Sequence, residues 1–132
     1  MAKQQQLQFS LITPESKVFE GPADFVAIPA HDGEIGILPE RAPLVVQLGA
    51  GRLRLRTDQT EQSWFVDAGF AQVVDNRVVV LTQKAMRPAD IDRDAAMADL
   101  ERARMMPTID DESVRRRTRV EASARARLRL SS

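Results

Sequence analysis

The sequence changes character at Pro88, and this change constrains the fold more than any other feature. Before Pro88, short apolar runs are interrupted by glycine, proline, aspartate and asparagine, whereas no glycine occurs after it. Residues 89–132 are instead rich in Ala, Arg, Asp, Glu and Met, most of which favour helices. The chain of 132 residues is long enough for one compact domain with an appendage. We therefore predict two units, residues 1–88 and residues 89–132.

The first unit is predicted to consist of short β-strands. Arg52 to Arg56 alternates Arg and Leu strictly, which predicts one wet and one buried face. Asp75 and Asn76 lie between two apolar runs and predict a tight turn. Short strands at this spacing, with little helical signal between them, predict a β-sandwich or barrel. The expected strands, rich in β-branched and aromatic residues, are 7–12, 25–28, 35–38, 44–48, 53–55, 64–66, 70–74 and 78–81.

The second unit is predicted to be an antiparallel pair of helices separated at Pro107. Asp90 is the expected N-cap of the first helix, and Asp110 or Asp111 is expected to cap a second helix that runs from about residue 112 to 130. Small apolar residues let two helices approach closely but bury little area. We therefore expect a weakly held hairpin that can change position. The expected apolar positions are Ile91, Ala95, Ala96, Ala98, Leu100 and Ala103 in the first helix, and Val114, Ala122, Ala126 and Leu128 in the second.

The second predicted helix is rich in arginine, and Glu112 and Glu121 are the only acidic residues between positions 112 and 130. An arginine-rich helix can track the phosphates of a nucleic acid, bind an acidic protein, or simply present a solvated face. The basic residues are Arg115, Arg116, Arg117, Arg119, Arg125, Arg127 and Arg129.

Composition excludes several classes of function. The chain has 19 basic and 19 acidic residues, so it is not a globally basic nucleic-acid binder. It has no cysteine, which excludes disulfides and thiolate metal sites. A metal site or a histidine-based triad would need more partners than the single histidine, His31, can supply. We therefore expect no metal, no cofactor and no catalysis by this chain alone. No apolar run typical of a signal peptide or a membrane span is present.

One run of residues resembles a known family. Asp32-Gly33-Glu34-Ile35-Gly36-Ile37-Leu38-Pro39-Glu40-Arg41-Ala42-Pro43-Leu44 is similar to the epsilon subunits of bacterial and chloroplast ATP synthases, whose mitochondrial counterpart is delta. Residues 9–15 with 18–21, 68–70 with 76–81, and 88–92 also match in register, so the resemblance covers essentially the whole chain. It implies an N-terminal β-sandwich followed by a two-helix hairpin.

The resemblance also implies a function and a set of partners. The chain would be a non-catalytic subunit of the central stalk of the F1 sector, coupling proton translocation to ATP synthesis. Its sandwich would bind the gamma subunit and contact the ring of membrane c subunits. Glu34 would face that ring, with a solvated carboxylate as the equal alternative. Arg41 stands where the family often has His. The apolar faces from Leu38 to Leu48 are candidates for the partner surface, and the implied contact residues are Glu34, Leu38, Arg41 and Leu44.

For the hairpin, the resemblance implies two further properties. It can extend along gamma and set basic residues against the catalytic beta subunit, with alpha as a second candidate, which would suppress ATP hydrolysis. Some members also bind ATP through Ile/Leu-Asp-x-x-Arg-Ala, but here Ala95 occupies the arginine position and Asp94 adds a negative charge, so the pattern gives ATP sensing little support. Its remnant is Ile91, Asp92, Ala95 and Ala96, and the implied inhibitory face is Arg115, Arg116, Arg119, Arg125 and Arg127.

Two other readings stay open at this point. The chain could be a free-standing β-sandwich module whose basic tail grips RNA or an acidic partner, or, less consistently with its composition, an enzyme. The resemblance favours neither and predicts no nucleic-acid partner. It implies a protein peripheral to the cytoplasmic face of a bacterial plasma membrane, or to the stromal face of the thylakoid, held there only through the complex.

Overall fold

A computed structural model of the protein describes residues 5–131, so the ends of the two predicted units, residues 1–4 and 132, lie outside the described residues. The N-terminal unit is a sheet of eight strands, and two helices follow it, as the sequence predicted. The strands are β1 (Leu7–Ile12), β2 (Lys17–Ala23), β3 (Phe25–Ala30), β4 (Gly33–Ile37), β5 (Leu44–Gln47), β6 (Gly51–Thr57), β7 (Thr60–Val74) and β8 (Arg77–Met86).

The sheet folds into two layers because its longest strand takes part in both. The first half of β7 pairs with β6, and its second half pairs with β5, while β8 runs antiparallel along its other edge. Between the halves, Ala68 and Gly69 have φ values of 65° and 112°, which interrupts the regular strand. Layer one contains β2, β1, most of β8, the second half of β7 and β5. Layer two contains the first half of β7, the end of β8 that pairs with it, β6, β3 and β4.

The core lies between the layers and follows an inward–outward alternation along several strands, whereas β3 and β7 bury consecutive residues at 26–28 and 64–66. Leu7, Phe9 and Leu11 of β1 point inward and are almost completely buried, because successive side chains of a strand face opposite sides. Trp64 is also buried, as expected for an aromatic residue in an apolar strand, and packs with its ring centroid 5.2 Å from that of Phe19 and 6.2 Å from that of Phe9. Apolar side chains from both layers therefore form one continuous core.

Two of the strand predictions need correction. Residues 64–66 and 70–74 were expected to be separate strands, but both belong to β7, because the irregular residues between them leave pairing with β8 in place. Strand β2 was absent from the strands predicted by the apolar pattern, whereas the family resemblance placed residues 18–21 in a hairpin with 9–15, which β1 and β2 form. Strand β2 is an edge strand with only Ala23 fully buried, so it lacks the apolar alternation that reveals a strand in the sequence.

The helices begin at Asp residues, but not all at the expected ones. Helix α1 (Arg93–Arg104) is capped by Asp92, which accepts a hydrogen bond from the amide of Ala95. The predicted cap, Asp90, lies instead in a 3-10 turn formed by Pro88–Asp90. Helix α2 (Asp111–Leu130) is capped by Asp110 and Ser113, whose side chains bond each other's backbone amides. This reciprocal pair satisfies two amides that the helix itself cannot.

The buried faces of the helices differ in part from the predicted ones. In α1, Ala96 and Ala103 are buried, but Ala95 and Ala98 are exposed. In α2, Ala126 is buried as predicted. The predicted positions Val114 and Ala122 are exposed, and the buried positions missed by the sequence analysis are Ser113, Ser123 and Ala124.

Candidate partner surfaces and the helical hairpin

The outer face of layer one carries exposed apolar side chains. Phe70 of β7 is directly opposite Leu81 of β8, and Leu81 is directly opposite Ile12 of β1. Phe70 is 56% and Leu81 52% exposed, and Val45 on the neighbouring edge strand β5 is 68% exposed. These side chains alternate with core residues, so the fold fixes their outward direction. We call Val45, Phe70 and Leu81, with the half-buried Ile12 and Val79, the outer apolar face.

The four residues implied as partner contacts are not all in one place. Leu38 and Arg41 are exposed in the connection between β4 and β5, and Leu44 is the half-buried first residue of β5. The backbone amide of Glu40 donates a 2.7 Å hydrogen bond to the side chain of Asn76, which ties this connection to the turn between β7 and β8. The segment is therefore held against layer one, next to the strand that carries Val45.

Glu34, the fourth of these residues, belongs to β4 in layer two and is not a free carboxylate. Its Oε1 atom accepts a 3.1 Å hydrogen bond from Nη2 of Arg54 on β6. Arg54 also lies 3.7 Å from a carboxylate oxygen of Glu61 on β7. All three side chains are partly exposed, so a partner can reach Glu34, but it meets a carboxylate already paired with a guanidinium group.

Four of the five arginines implied as an inhibitory face are exposed on α2. Arg115 and Arg119 are one turn apart. Arg116 bonds Glu112 at 3.1 Å, and Arg125 lies 3.7 Å from Glu121. These exposed pairs contribute little to stability, so the arginines can exchange their partners readily.

The fifth, Arg127, points into the hairpin instead of outward. Its Nη2 atom lies 2.7 Å from Oδ2 of Asp99 on α1, its Nε donates to the carbonyl oxygen of Ser123, and its side chain is only 13% exposed. The hydrogen bond from Arg127, aided by Arg102, holds the pKa of Asp99 below its usual range. In this position of the hairpin, Arg127 joins the two helices and is not part of the exposed basic surface.

A second polar link joins the helices near the start of α1. Arg93 donates hydrogen bonds to the carbonyl oxygen of Leu128 and to the hydroxyl of Ser131, at 3.2 and 3.0 Å. It thus satisfies a terminal carbonyl of α2, a favourable position for a cation. Asp92, the polar residue of the ATP-motif remnant, is likewise engaged in a structural contact as the cap of α1. Of the remnant's other members, Ala95 is exposed, and Ile91 and Ala96 are buried.

The hairpin is attached to the sandwich by a small apolar contact. Ala126 of α2 and Ile91 of the linker pack against Phe65, and the half-buried Ala50, Met86 and Leu130 border this cluster. Of the two helices, α2 is the one that contacts strands β6 and β7, while α1 packs on α2. Helix α1 is therefore held to the sandwich mainly through its partner helix and the linker.

The linker starts from a fixed point. The guanidinium of Arg87 lies 4.1 Å from the ring centroid of Trp64, and it donates hydrogen bonds to the side chain of Gln62 and to the carbonyl oxygen of Ser63. A cation over an indole ring is attracted to its negative face. The linker that follows, residues 88–92, contains the 3-10 turn, the buried Ile91 and the cap Asp92.

Neither a metal centre nor a membrane helix is found within residues 5–131. In this range no group of three or more histidine, aspartate or glutamate side chains converges on a point where it could ligate an ion. Both helices there are too short or too polar to cross a bilayer.

Comparison with known proteins gives consistent matches along the chain. A family model described as ATP synthase, Delta/Epsilon chain, beta-sandwich domain matches residues 6–88. The ATP synthase epsilon chain of Rhodopirellula baltica is 41% identical over 121 residues, which cover 92% of this chain and 94% of that protein. The ATP synthase epsilon chain of Desulforamulus reducens is 45% identical over 103 residues, which cover 78% of this chain and 76% of the other.

Two solved structures share the fold. One is a chain of the mitochondrial ATP synthase of Euglena gracilis, in an assembly of OSCP, F1 and c-ring, with a TM-score of 0.79 and 22% identity over 92% of this chain and 78% of that one. The other belongs to the central stalk and c-ring of the Tetrahymena thermophila mitochondrial ATP synthase, with a TM-score of 0.72 and 14% identity over 99% and 100%. At these identities, the matches show the fold alone: a sandwich followed by a helical hairpin also occurs in both solved structures.

Proposed function

This chain belongs to the ATP synthase delta/epsilon chain family, and from that premise we propose that it docks on gamma through its outer apolar face and restrains ATP hydrolysis through its hairpin. It is a non-catalytic subunit of the F1 central stalk of a rotary ATP synthase. In this role the sandwich turns with gamma and the ring of c subunits, so that proton flow is coupled to ATP synthesis.

The proposed contact with gamma is made by the outer apolar face. Phe70, Leu81 and Val45 are large apolar side chains, each more than half exposed, on adjacent strands of one sheet face. A contiguous exposed apolar patch on a soluble domain indicates a site of protein association. Leu38 and Arg41 lie close to this face in sequence and extend the proposed contact. Leu44, which was also implied as a contact, packs against the core instead, and Glu34 belongs to a separate contact with the c ring.

The gamma contact is tested with full-length variants in which Phe70 or Leu81 is replaced by Glu. Binding to purified gamma should fall at least about tenfold for each, because burying an unpaired carboxylate in an apolar contact costs more than about 1.4 kcal/mol. Both side chains are already exposed, so the variants should fold normally by circular dichroism. Gln59→Glu, at the remote turn between β6 and β7, is the matched control. Unchanged gamma affinity in both variants would remove this face from the proposal.

The exposed arginines of α2 support the proposal for inhibition. Arg115, Arg116, Arg119 and Arg125 are exposed and form at most surface ion pairs. They can therefore bind an acidic segment of the beta subunit, or of alpha, once the hairpin leaves the sandwich. Arg127 would join them only after its bond to Asp99 breaks. The two positions of the hairpin must then differ by only a few kcal/mol.

Inhibition is tested by adding full-length chain to an assembled catalytic head and measuring ATP hydrolysis. The double variant Arg115→Gln, Arg119→Gln should bind gamma normally and inhibit less than the natural chain. Lys17→Gln, which also removes a positive charge but lies on β2, is the control. Equal inhibition by all three chains would refute a role for the arginines, and a steeply salt-dependent affinity for RNA would favour the nucleic-acid reading instead.

We propose that the hairpin binds no ATP through its motif remnant, because Asp92 and Arg93 are engaged in helix capping and no arginine occupies position 95. Calorimetry with ATP should therefore show no saturable heat.

As part of an F1 complex the protein is peripheral to a membrane, and we assign it to the cytoplasmic face of a bacterial membrane or the stromal face of the thylakoid.

A further inference from the structure

A cavity at the junction of sandwich and hairpin brings together residues from both units. It is open to solvent, has a volume of about 700 Å³, and lies between strand β6 and the end of α2. Its walls are formed by Glu34, Gly51, Arg52, Arg54, Arg129 and Leu130.

The charges around this cavity are unequal. Arg52 and Arg54 come from the sandwich and Arg129 from the last turn of α2, and Glu34 is the only carboxylate in the wall. Within residues 5–131, Arg54 is paired with Glu34, whereas Arg52 and Arg129 take part in no ion pair. Docking of α2 therefore brings a positive side chain to a cavity that two others line, and like charges repel. Glu34 is the group in the wall that offsets this repulsion.

Glu34 also lies on the strand proposed to face the c ring. We propose that Glu34 couples this surface to the hairpin: its carboxylate allows α2 to dock, and a basic group of a partner that captures the carboxylate weakens docking. This inference rests on the proposed contact between β4 and the c ring for its second half only. Its first half, the effect of the Glu34 charge on docking, concerns the isolated chain.

The small size of the attachment makes docking sensitive to a single charge. The apolar contact between α2 and the sandwich is limited to Ala126, Leu130 and their neighbours. Because this contact buries little apolar area, a change in electrostatic energy of the size expected for one charge can shift the docking equilibrium. Arg54 lines the cavity and also lies 3.7 Å from Glu61, which is outside the cavity wall. Loss of the Glu34 carboxylate would leave three guanidinium groups lining one cavity, with Glu61 as the carboxylate still paired with Arg54.

The first test measures hairpin position in the full, isolated chain. Because the sequence lacks cysteine, spin labels at Gln59→Cys and Ala122→Cys, both exposed positions, report the fraction of docked molecules by pulsed electron resonance. Glu34→Gln should reduce the docking equilibrium constant about two- to fourfold, the range expected for a partly exposed charge. Adding Arg129→Gln to Glu34→Gln should restore it, and 0.5 M salt should diminish the difference, as about 4 Å of screening length implies.

Glu61→Gln is the matched control, because Glu61 lies near the same arginine but does not line the cavity. Its effect should be less than half that of Glu34→Gln. An unchanged docked fraction in Glu34→Gln, an equal effect of Glu61→Gln, or failure of Arg129→Gln to restore docking would each overturn the role of Glu34.

The second test adds the gamma subunit bound to a detergent-solubilised c ring. Binding of this complex should lower the docked fraction of the natural chain and leave that of Glu34→Gln nearly unchanged. If the complex binds but the natural hairpin does not respond, the coupling is refuted while the proposed function stands. If it does not bind at all, the proposed function and the capture step both fail, and the charge effect in the isolated chain remains to be judged by the first test alone.

Discussion

Replacing Asp99 by Asn should loosen the helical hairpin without affecting the sandwich. The substitution keeps the size of the side chain but removes the charge that faces Arg127 at 2.7 Å. The guanidinium, only 13% exposed, would keep its bond to the Ser123 carbonyl but lose its anionic partner. A hydrogen bond to a charged group contributes about 1.5 to 3 kcal/mol, and the partial exposure of Asp99 places this one near the lower end. We expect a loss of about 1.5 kcal/mol, or roughly tenfold in the opening equilibrium.

Native-state amide hydrogen exchange resolves this effect, because it reports opening of each segment separately. Amides in α1 and α2 should exchange roughly tenfold faster in Asp99→Asn at pH 7, and those of β1, β7 and β8 should be unchanged. Glu101→Gln removes an equal charge from an exposed pair with Arg104 on the same helix, so it serves as the control and should change exchange less than threefold, as about 0.5 kcal/mol implies.

The pH dependence provides an independent check of the same contact. Hydrogen bonding by Arg127 lowers the pKa of Asp99 from 3.8, so the folded hairpin binds the proton less readily than the unfolded chain does. The stabilisation is thus complete above the unfolded pKa and is lost as the pH falls through the lower folded value. Natural and Asp99→Asn hairpins should converge in stability at acidic pH. A hairpin exchange rate in Asp99→Asn within twofold of the natural one at pH 7 would refute the argument.

Three further substitutions test other parts of the structure. Gly69→Ala would place a methyl carbon 1.9 Å from a backbone oxygen of β8, at a φ of 112°. The free energy of unfolding measured in urea should therefore fall by more than about 3 kcal/mol. A fall of under about 1 kcal/mol would contradict the backbone geometry at Ala68 and Gly69. Asp110→Ala removes the acceptor of the Ser113 amide, 2.8 Å away, and should accelerate amide exchange in the first turn of α2 but not in its last. Arg87→Gln removes the cation above Trp64 and should shift its fluorescence and reduce stability by about 1 kcal/mol; an identical emission spectrum would argue against the stacked geometry.

The sequence was informative wherever a pattern has a single physical cause. The alternation from Arg52 to Arg56 appears as alternating exposure and burial in β6, because the two faces of a strand differ in their access to water. Asp75 and Asn76 both have positive φ in the turn between β7 and β8, a conformation that Asn and Asp tolerate well. The division after Pro88 likewise corresponds to the change from strands to helices.

Other features had no such single cause. Alanine is equally compatible with exposed and buried helical positions, so nothing in the sequence distinguishes Ala95 from Ala96 before the position of the neighbouring helix is known. The same holds for Arg127, which differs from Arg125 only in facing α1. A sequence signal for it would have been the complementary charge of Asp99, but many acidic residues lie at similar separations. Phe70 and Leu81 were missed as surface residues, because they belong to apolar runs that also supply the core.

The unequal attachments within the molecule suggest how its parts would move. The two helices are joined by the ion pair of Asp99 with Arg127 and by the bonds of Arg93 to the end of α2, whereas Ala126 and a few neighbours join them to the sandwich. Burying an alanine and part of a leucine stabilises docking by only a few kcal/mol at about 25 cal/mol per Å². The sandwich core is independent of this contact, since its apolar cluster contains no helical residue. Undocking therefore costs little and leaves layer one and its outer apolar face intact. The polar links between the helices make detachment of the hairpin as one piece easier than separation of α1 from α2, and only the latter would free Arg127 for a new partner.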